Sequence, residues 1–182
     1  MTHGMTDGGE LTPAEAEREM PWLLDPFQEI PALSEERFGY VEYVRSEILR
    51  PESERAFAST FDYLERIRET ARPAPLACLL IPDESQVEDE LWAQVRVAAG
   101  LSDADRDRPQ RILSAWLESR KIDCIDLLPR LRASPFLRDG RRHVYHLRDT
   151  HFNALGNRIA GEALAELVEH AGVAKRIAPG SR

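Results

Sequence analysis

The run Leu76-Ala77-Cys78-Leu79-Leu80-Ile81 is continuously apolar and is closed off by Pro75 and Pro82. It is too short to be a helix and does not alternate, so it reads as a strand buried on both faces, as strands of parallel sheets are. A second run, Ile122-Asp123-Cys124-Ile125-Asp126-Leu127-Leu128, has the same character. Between them lie a helical stretch at residues 87–99 and a second at 109–120, which opens on Pro109 and places Ile112, Leu113, Trp116 and Leu117 on one face. Strand, helix, helix, strand over roughly 50 residues is a parallel crossover, which chain geometry makes right-handed. The two strands are therefore expected to be parallel, adjacent or one apart, within an α/β sheet.

The flanks fit this frame. Phe57, Phe61, Leu64 and Ile67 recur at helical spacing in residues 52–70, with Glu and Arg between them. Ser34, followed by Glu36 and Arg37, opens another candidate helix. Residues 154–170 form the strongest amphipathic pattern, with Leu155, Ile159, Ala163 and Leu167 on one stripe and Ala160, Leu164 and Val168 beside it. Residues 1–20 are polar and glycine-rich and are expected to be a loose tail, as are residues 174–182, leaving one domain over 21–173. Trp92 and Trp116 stand at apolar helical positions and are expected in the core; the acidic and basic tract at 102–108 reads as a solvated loop.

Charge and cysteine content exclude several classes. With a formal net charge of −8 and no cluster of Lys and Arg, the chain would repel phosphate backbones and anionic lipid, so neither nucleic acid nor membrane is an expected partner. Cys78 and Cys124 both fall inside the strand-like runs, where cysteine behaves as a small hydrophobe, and no disulfide framework is implied. No leader pattern opens the sequence and no membrane-length apolar segment interrupts it, so the chain as written is expected to be soluble and cytoplasmic.

The chemistry-bearing residues gather in Arg148-Asp149-Thr150-His151-Phe152-Asn153, a loop between the short Val144-Tyr145 stretch and the last helix. An aspartate two residues from a histidine can orient the imidazole and stabilise its charged form, leaving the other ring nitrogen to accept a proton from a hydroxyl nucleophile. The same residues also suit a solvated loop in which Asp149 or Asn153 caps the helix. A third reading is metal: His143, His146, Asp149 and His151 fall within nine residues. Against it, His143 and His146 flank a short strand at odd separation, which points them to opposite faces. His170, at the end of the last helix, complements the helix dipole.

The block Asp149-Thr150-His151-Phe152-Asn153, followed by Gly156-Asn157 and an alanine-rich helix, resembles the C-terminal catalytic block of SGNH/GDSL hydrolases, of the form D-x-H-x-N-x-x-G. Upstream, Leu79-Leu80-Ile81-Pro82-Asp83 and the Ile125-Asp126-Leu127-Leu128-Pro129 strand resemble two earlier elements of that family, in the same order. The resemblance covers roughly residues 52–171. It implies a flavodoxin-like three-layer α/β/α sandwich with a parallel sheet, cleaving or transferring an acyl ester through a serine. His151 would be the general base and then acid, and Asp149 its orienting carboxylate, at the C-terminal edge of the sheet. No cofactor would be needed, and the substrate would be a small-molecule or carbohydrate acyl ester.

The same resemblance exposes a gap. In the family the nucleophile belongs to a Gly-Asp-Ser block after the first strand, with a glycine and an asparagine of later blocks completing an oxyanion hole. None of the ten serines here follows a Gly-Asp pair. The chain is therefore expected to represent the part downstream of those blocks, its first strands and serine belonging to an N-terminal half. Ser85 alone stands after a buried strand, where a role in the following loop or as an N-cap competes with that of nucleophile. A catalytically silent binding or structural module is the alternative from another class.

Overall fold

The computed structural model describes residues 33–50, 54–137 and 140–170. The expected tails at 1–20 and 174–182 lie outside the described residues. The fold is mixed α/β and mostly helical, with a short parallel two-stranded sheet. In chain order come α1 (Glu35–Arg45), a 3-10 turn (Ser46–Leu49), α2 (Glu54–Ala71), β1 (Ala77–Leu80), α3 (Glu84–Val87) and α4 (Asp89–Ala99). A 3-10 turn (Asp103–Asp105), α5 (Arg108–Ser119), β2 (Asp123–Asp126), α6 (Leu128–Arg132) and α7 (Ala154–His170) follow.

β1 and β2 pair in parallel, from Ala77 opposite Asp123 to Leu80 opposite Asp126, with Cys78 facing Cys124. The crossover between them carries α3, α4 and α5, so the strand-helix-helix-strand pattern forms as its periodicity predicts. Leu127 N–H continues the ladder by donating to Leu80 O at 3.0 Å. The expectation of full burial fails: both strands are half-buried, and Ile81 is 60% exposed. The reason is the sheet's width, since among the described residues each strand has only the other as a neighbour. Helix α7 packs against both strands and α5 against β2.

The core sits at the C-terminal edge of this pair, where Val87, Leu127, Leu128, Leu131, Val144 and Tyr145 are buried with Ala163 of α7. On α7, Ala163 and Leu167 are buried as their stripe predicts, while Leu164 is exposed. On α2, Phe57 is buried and Phe61 stacks on Trp116 of α5, centroids 4.9 Å apart and rings nearly parallel at 4°. Ile67, counted in the same stripe, is half-exposed because no described element covers that end of the helix. Trp92 is buried and gives its indole N–H to Asp103.

Two element boundaries are corrected. The stretch at 87–99 is not one helix: Glu88 is extended (φ −88°, ψ 121°) and separates α3 from α4. None of the residues of the tract at 102–108 is buried, as expected of a solvated loop, and the tract is also locally bonded: Ser102 N–H donates to Asp105 at 2.9 Å, and Arg106 pairs with Asp89 at 2.8 Å. The second strand ends at Asp126, whose carboxylate accepts from Leu128 N–H at 2.9 Å and turns the chain into α6. Among the described residues no helix is long and apolar enough to cross a membrane.

Because Leu127 is fully buried at the strand-to-helix corner, Leu127→Ala should lower unfolding free energy by roughly 2–5 kcal/mol in a urea titration. Ile67→Ala should stay within about 0.5 kcal/mol of the parent. Equal losses at the two positions would contradict this placement of the core.

Candidate active site

Residues 142–153 form a narrow antiparallel ribbon that doubles back at the C-terminal edge of the sheet. Tyr145 bridges Phe152 with rings 4.9 Å apart, Asn153 N–H donates to Val144 O at 3.2 Å, and His146 N–H donates to His151 O at 2.9 Å. At its tip Asp149 N–H closes onto His146 O at 3.2 Å, which Arg148 permits by adopting φ +50°. The buried Tyr145 hydroxyl donates to Pro82 O at 2.8 Å, just past the end of β1, and burial holds its phenol well above the ordinary range.

The tip presents Asp149 and His151 together. Asp149 Oδ1 lies 2.5 Å from His151 Nδ1 and also accepts the His151 backbone N–H at 2.9 Å, so one oxygen fixes both backbone and ring. The aspartate side chain is mostly covered, while that of His151 is 81% exposed. With the carboxylate on Nδ1, the neutral ring carries its proton there and turns the Nε2 lone pair outward. That is the arrangement needed to accept a proton from a nucleophile approaching from outside.

Asn153 supports this tip from beneath. It is fully buried; its amide nitrogen donates to His143 O at 2.6 Å and Tyr145 O at 3.0 Å, and its oxygen accepts from Leu155 N–H at 2.9 Å and Gly156 N–H at 3.1 Å. It therefore caps α7, as one reading of the sequence has it, and also ties the cap to the ribbon. A Cβ on Gly156 would lie 2.2 Å from Val144 O and 2.8 Å from the Phe152 ring, so only glycine lets α7 approach so closely. Asn157 donates to Phe152 O at 2.9 Å. Asn153, Gly156 and Asn157 of the block thus each have a mechanical task.

The other end of the ribbon is held by Glu88, which patterning gives no reason to single out. Its buried carboxylate accepts from Arg142 N–H at 3.1 Å and His143 N–H at 2.9 Å. Arg142 in turn donates to Arg132 O and Val87 O and lies over the Phe136 ring at 4.1 Å. Between α1, α4 and the ribbon is a cavity of about 120 Å³, bordered by Phe38, Glu84, Glu88, Leu91, His143 and Arg148. Burial, then the neighbouring carboxylates of Glu42, Glu88 and Asp83, push Glu84 well above the ordinary carboxyl range.

Ser85 is not brought to His151. Its side chain is buried and its hydroxyl donates to Asp83 Oδ1 at 3.3 Å; no hydrogen bond connects it to the imidazole. His143 and His146 are buried in the ribbon, and His143 takes φ +49°, so the alternation expected of a regular strand does not apply there. Among the described residues, no three His, Cys, Asp or Glu side chains converge as a metal site. Comparison with protein-family models, curated proteins and solved structures finds no match to this chain.

The tautomer is measurable. In wild type, ¹⁵N NMR of the neutral His151 ring should show the Nδ1–H form in excess, and Asp149→Ala should return it toward a mixture. An unchanged tautomer ratio would mean that the carboxylate does not orient the ring. Asn153→Ala removes the α7 cap and the amide donor shared by two ribbon carbonyls, so it should cost more than about 2 kcal/mol in chemical unfolding. A loss of a few tenths would reduce Asn153 to an ordinary exposed cap.

Proposed function

We propose that this chain supplies the histidine–aspartate half of an SGNH-type serine ester hydrolase or acyl-transfer site. The observation that carries the reading is the Asp149–His151 pair, with its imidazole exposed on a ribbon anchored at the C-terminal edge of two parallel strands. In open parallel sheets that edge is where sites form. In the proposed reaction His151 Nε2 takes the proton of a serine hydroxyl as it attacks the acyl carbon, then returns it to the departing alcohol. Asp149 keeps the ring in the receptive tautomer and stabilises the imidazolium. The substrate would be an acyl ester, a carbohydrate O-acetyl group among the candidates.

The serine and the oxyanion donors would come from an N-terminal half. Among the described residues the outer edges of β1 and β2 are unshared, which supports such a partner, because a half-buried apolar strand with an open edge favours pairing with another strand. Completed in that way, the sheet would become the middle of a three-layer α/β/α sandwich, with α7 and α5 already in contact with it. A second reading, a catalytically silent binding or structural module, is favoured by one observation: the serine after β1 is buried and bonded to Asp83.

Hydrolysis of p-nitrophenyl acetate separates the readings. The chain alone should match its Asp149→Ala, His151→Ala double variant, since histidine without nucleophile and oxyanion hole retains little catalysis. Co-expressed with a Gly-Asp-Ser-bearing segment encoded just upstream of Met1, it should gain turnover that His151→Ala lowers by about a thousandfold or more. Turnover by the chain alone that Ser85→Ala abolishes would overturn the split-nucleophile proposal. The lack of any upstream Gly-Asp-Ser segment would leave the silent module as the better reading.

A further inference from the structure

We propose that Glu42 holds α1 against the C-terminal edge of the sheet as a neutral acid that shares its proton with the Asp83 carboxylate, making α1 a strap released when Glu42 ionises. Glu42 stands on the stripe of α1 that also carries Phe38, and it is fully buried. Neither of its carboxyl oxygens has a hydrogen-bond partner if the group is read as ionised. A buried carboxylate left this way would be strongly destabilising, whereas a carboxylic acid brings its own donor.

The surroundings say where that donor goes. From the segment after β1, the Asp83 carboxylate and the Ser85 backbone N–H face Glu42. Arg45, on the same helix, is the cation at hand, and its guanidinium is engaged by Asp83. Glu84 of α3 and Tyr145 of the ribbon lie within electrostatic reach, and a negative charge on Glu42 disfavours ionisation of both. Burial first, then the hydrogen bond and charge of Asp83, push Glu42 up to about 9 from its ordinary 4.5. Asp83 is the member that binds Arg45 and caps α3.

Linkage fixes the direction. Docking of α1 is at full strength below about pH 4.5 and weakens tenfold per pH unit up to about 9, where the docked acid itself ionises. Release would have a consequence for the candidate site. Helix α1 borders the cavity with Glu35 and Phe38, and Glu35 pairs with Arg148, the residue just before Asp149, at 3.4 Å. Freeing α1 would open that cavity and remove a contact that restrains the ribbon tip. The inference rests on the burial of Glu42 and holds whether or not the ribbon belongs to an ester hydrolase.

Two measurements on the whole chain test it: hydrogen exchange of residues 35–45 across pH, corrected for intrinsic exchange, and the ¹³C shift of the Glu42 carboxyl. Protection of α1 should fall about a hundredfold between about pH 6 and 8, one factor of ten per unit for the Glu42 proton, with any excess belonging to Glu84. Glu42→Gln, which keeps shape and a donor, should lower that slope by one factor of ten per unit. Asp83→Asn, which offers an amide to an ionised Glu42, should lower it likewise. The carboxyl shift should titrate well above 4.5, together with the loss of α1 protection. A Glu42 midpoint near 4.5, or an undiminished slope in Glu42→Gln, would overturn the proposal, and the ¹³C titration of wild type decides even if both variants fail to fold.

Discussion

The side chain of Asn153 is the point on which the site's geometry depends. An amide has two N–H donors and an oxygen with two lone pairs, and all four positions are filled here, by two ribbon carbonyls and two helix amides. Because the group is fully buried, none of these bonds can be exchanged for water without exposing the core. The start of α7, the two strands of the ribbon and the turn between them are thus one mechanical unit. Gly156 completes it by letting the helix backbone come against Val144 O.

A second clamp sets where that unit sits. The helix break at Glu88 frees a carboxylate at the α3–α4 junction, and this carboxylate takes the backbone N–H groups of Arg142 and His143. Arg142 returns the connection by bonding carbonyls of α3 and α6. The Tyr145–Pro82 hydrogen bond adds a third tie, directly to the end of β1. Elements brought close by the parallel crossover are therefore joined by polar bonds between segments about 50 residues apart in sequence, and the apolar cluster around Leu127 and Val144 excludes water from them.

What the sequence made legible follows from whether the cause was local. The runs at Cys78 and Cys124 declare themselves as strands because the apolar pattern that buries them is contiguous, and their parallel pairing follows from the helices between. The Asp149–His151 pair and the Asn153 cap are legible for the same reason: each bonds within two or three residues of itself. Glu88 and Arg142 were illegible because the partners that explain them lie more than 50 residues away. The depth of the strands was overestimated, since full burial needs neighbours on both sides and a local apolar run cannot count them. Glu42 follows Phe38 by four residues and precedes Leu49 by seven, and all three are buried, so its carboxyl has no water to ionise into; the spacing is local but the burial that gives it meaning is not.

The exposure of His151 bears on what holds the pair together. In solvent, the attraction between an imidazole and a carboxylate is weak, because water screens it and competes for the same atoms. The short Nδ1 contact orients the ring, but it depends on the backbone to hold the two groups within reach of each other. Position comes from the backbone: Asp149 N–H is fixed on His146 O, His151 N–H on Asp149 Oδ1, and His146 N–H on His151 O. These bonds place the carboxylate under the ring before any proton moves, so little reorganisation is needed when the imidazole becomes charged. A partner surface that covered His151 would remove the screening water and strengthen the same contact without altering its geometry. The ribbon thus carries the orientation, and the environment that would make the pair chemically potent belongs to whatever covers it.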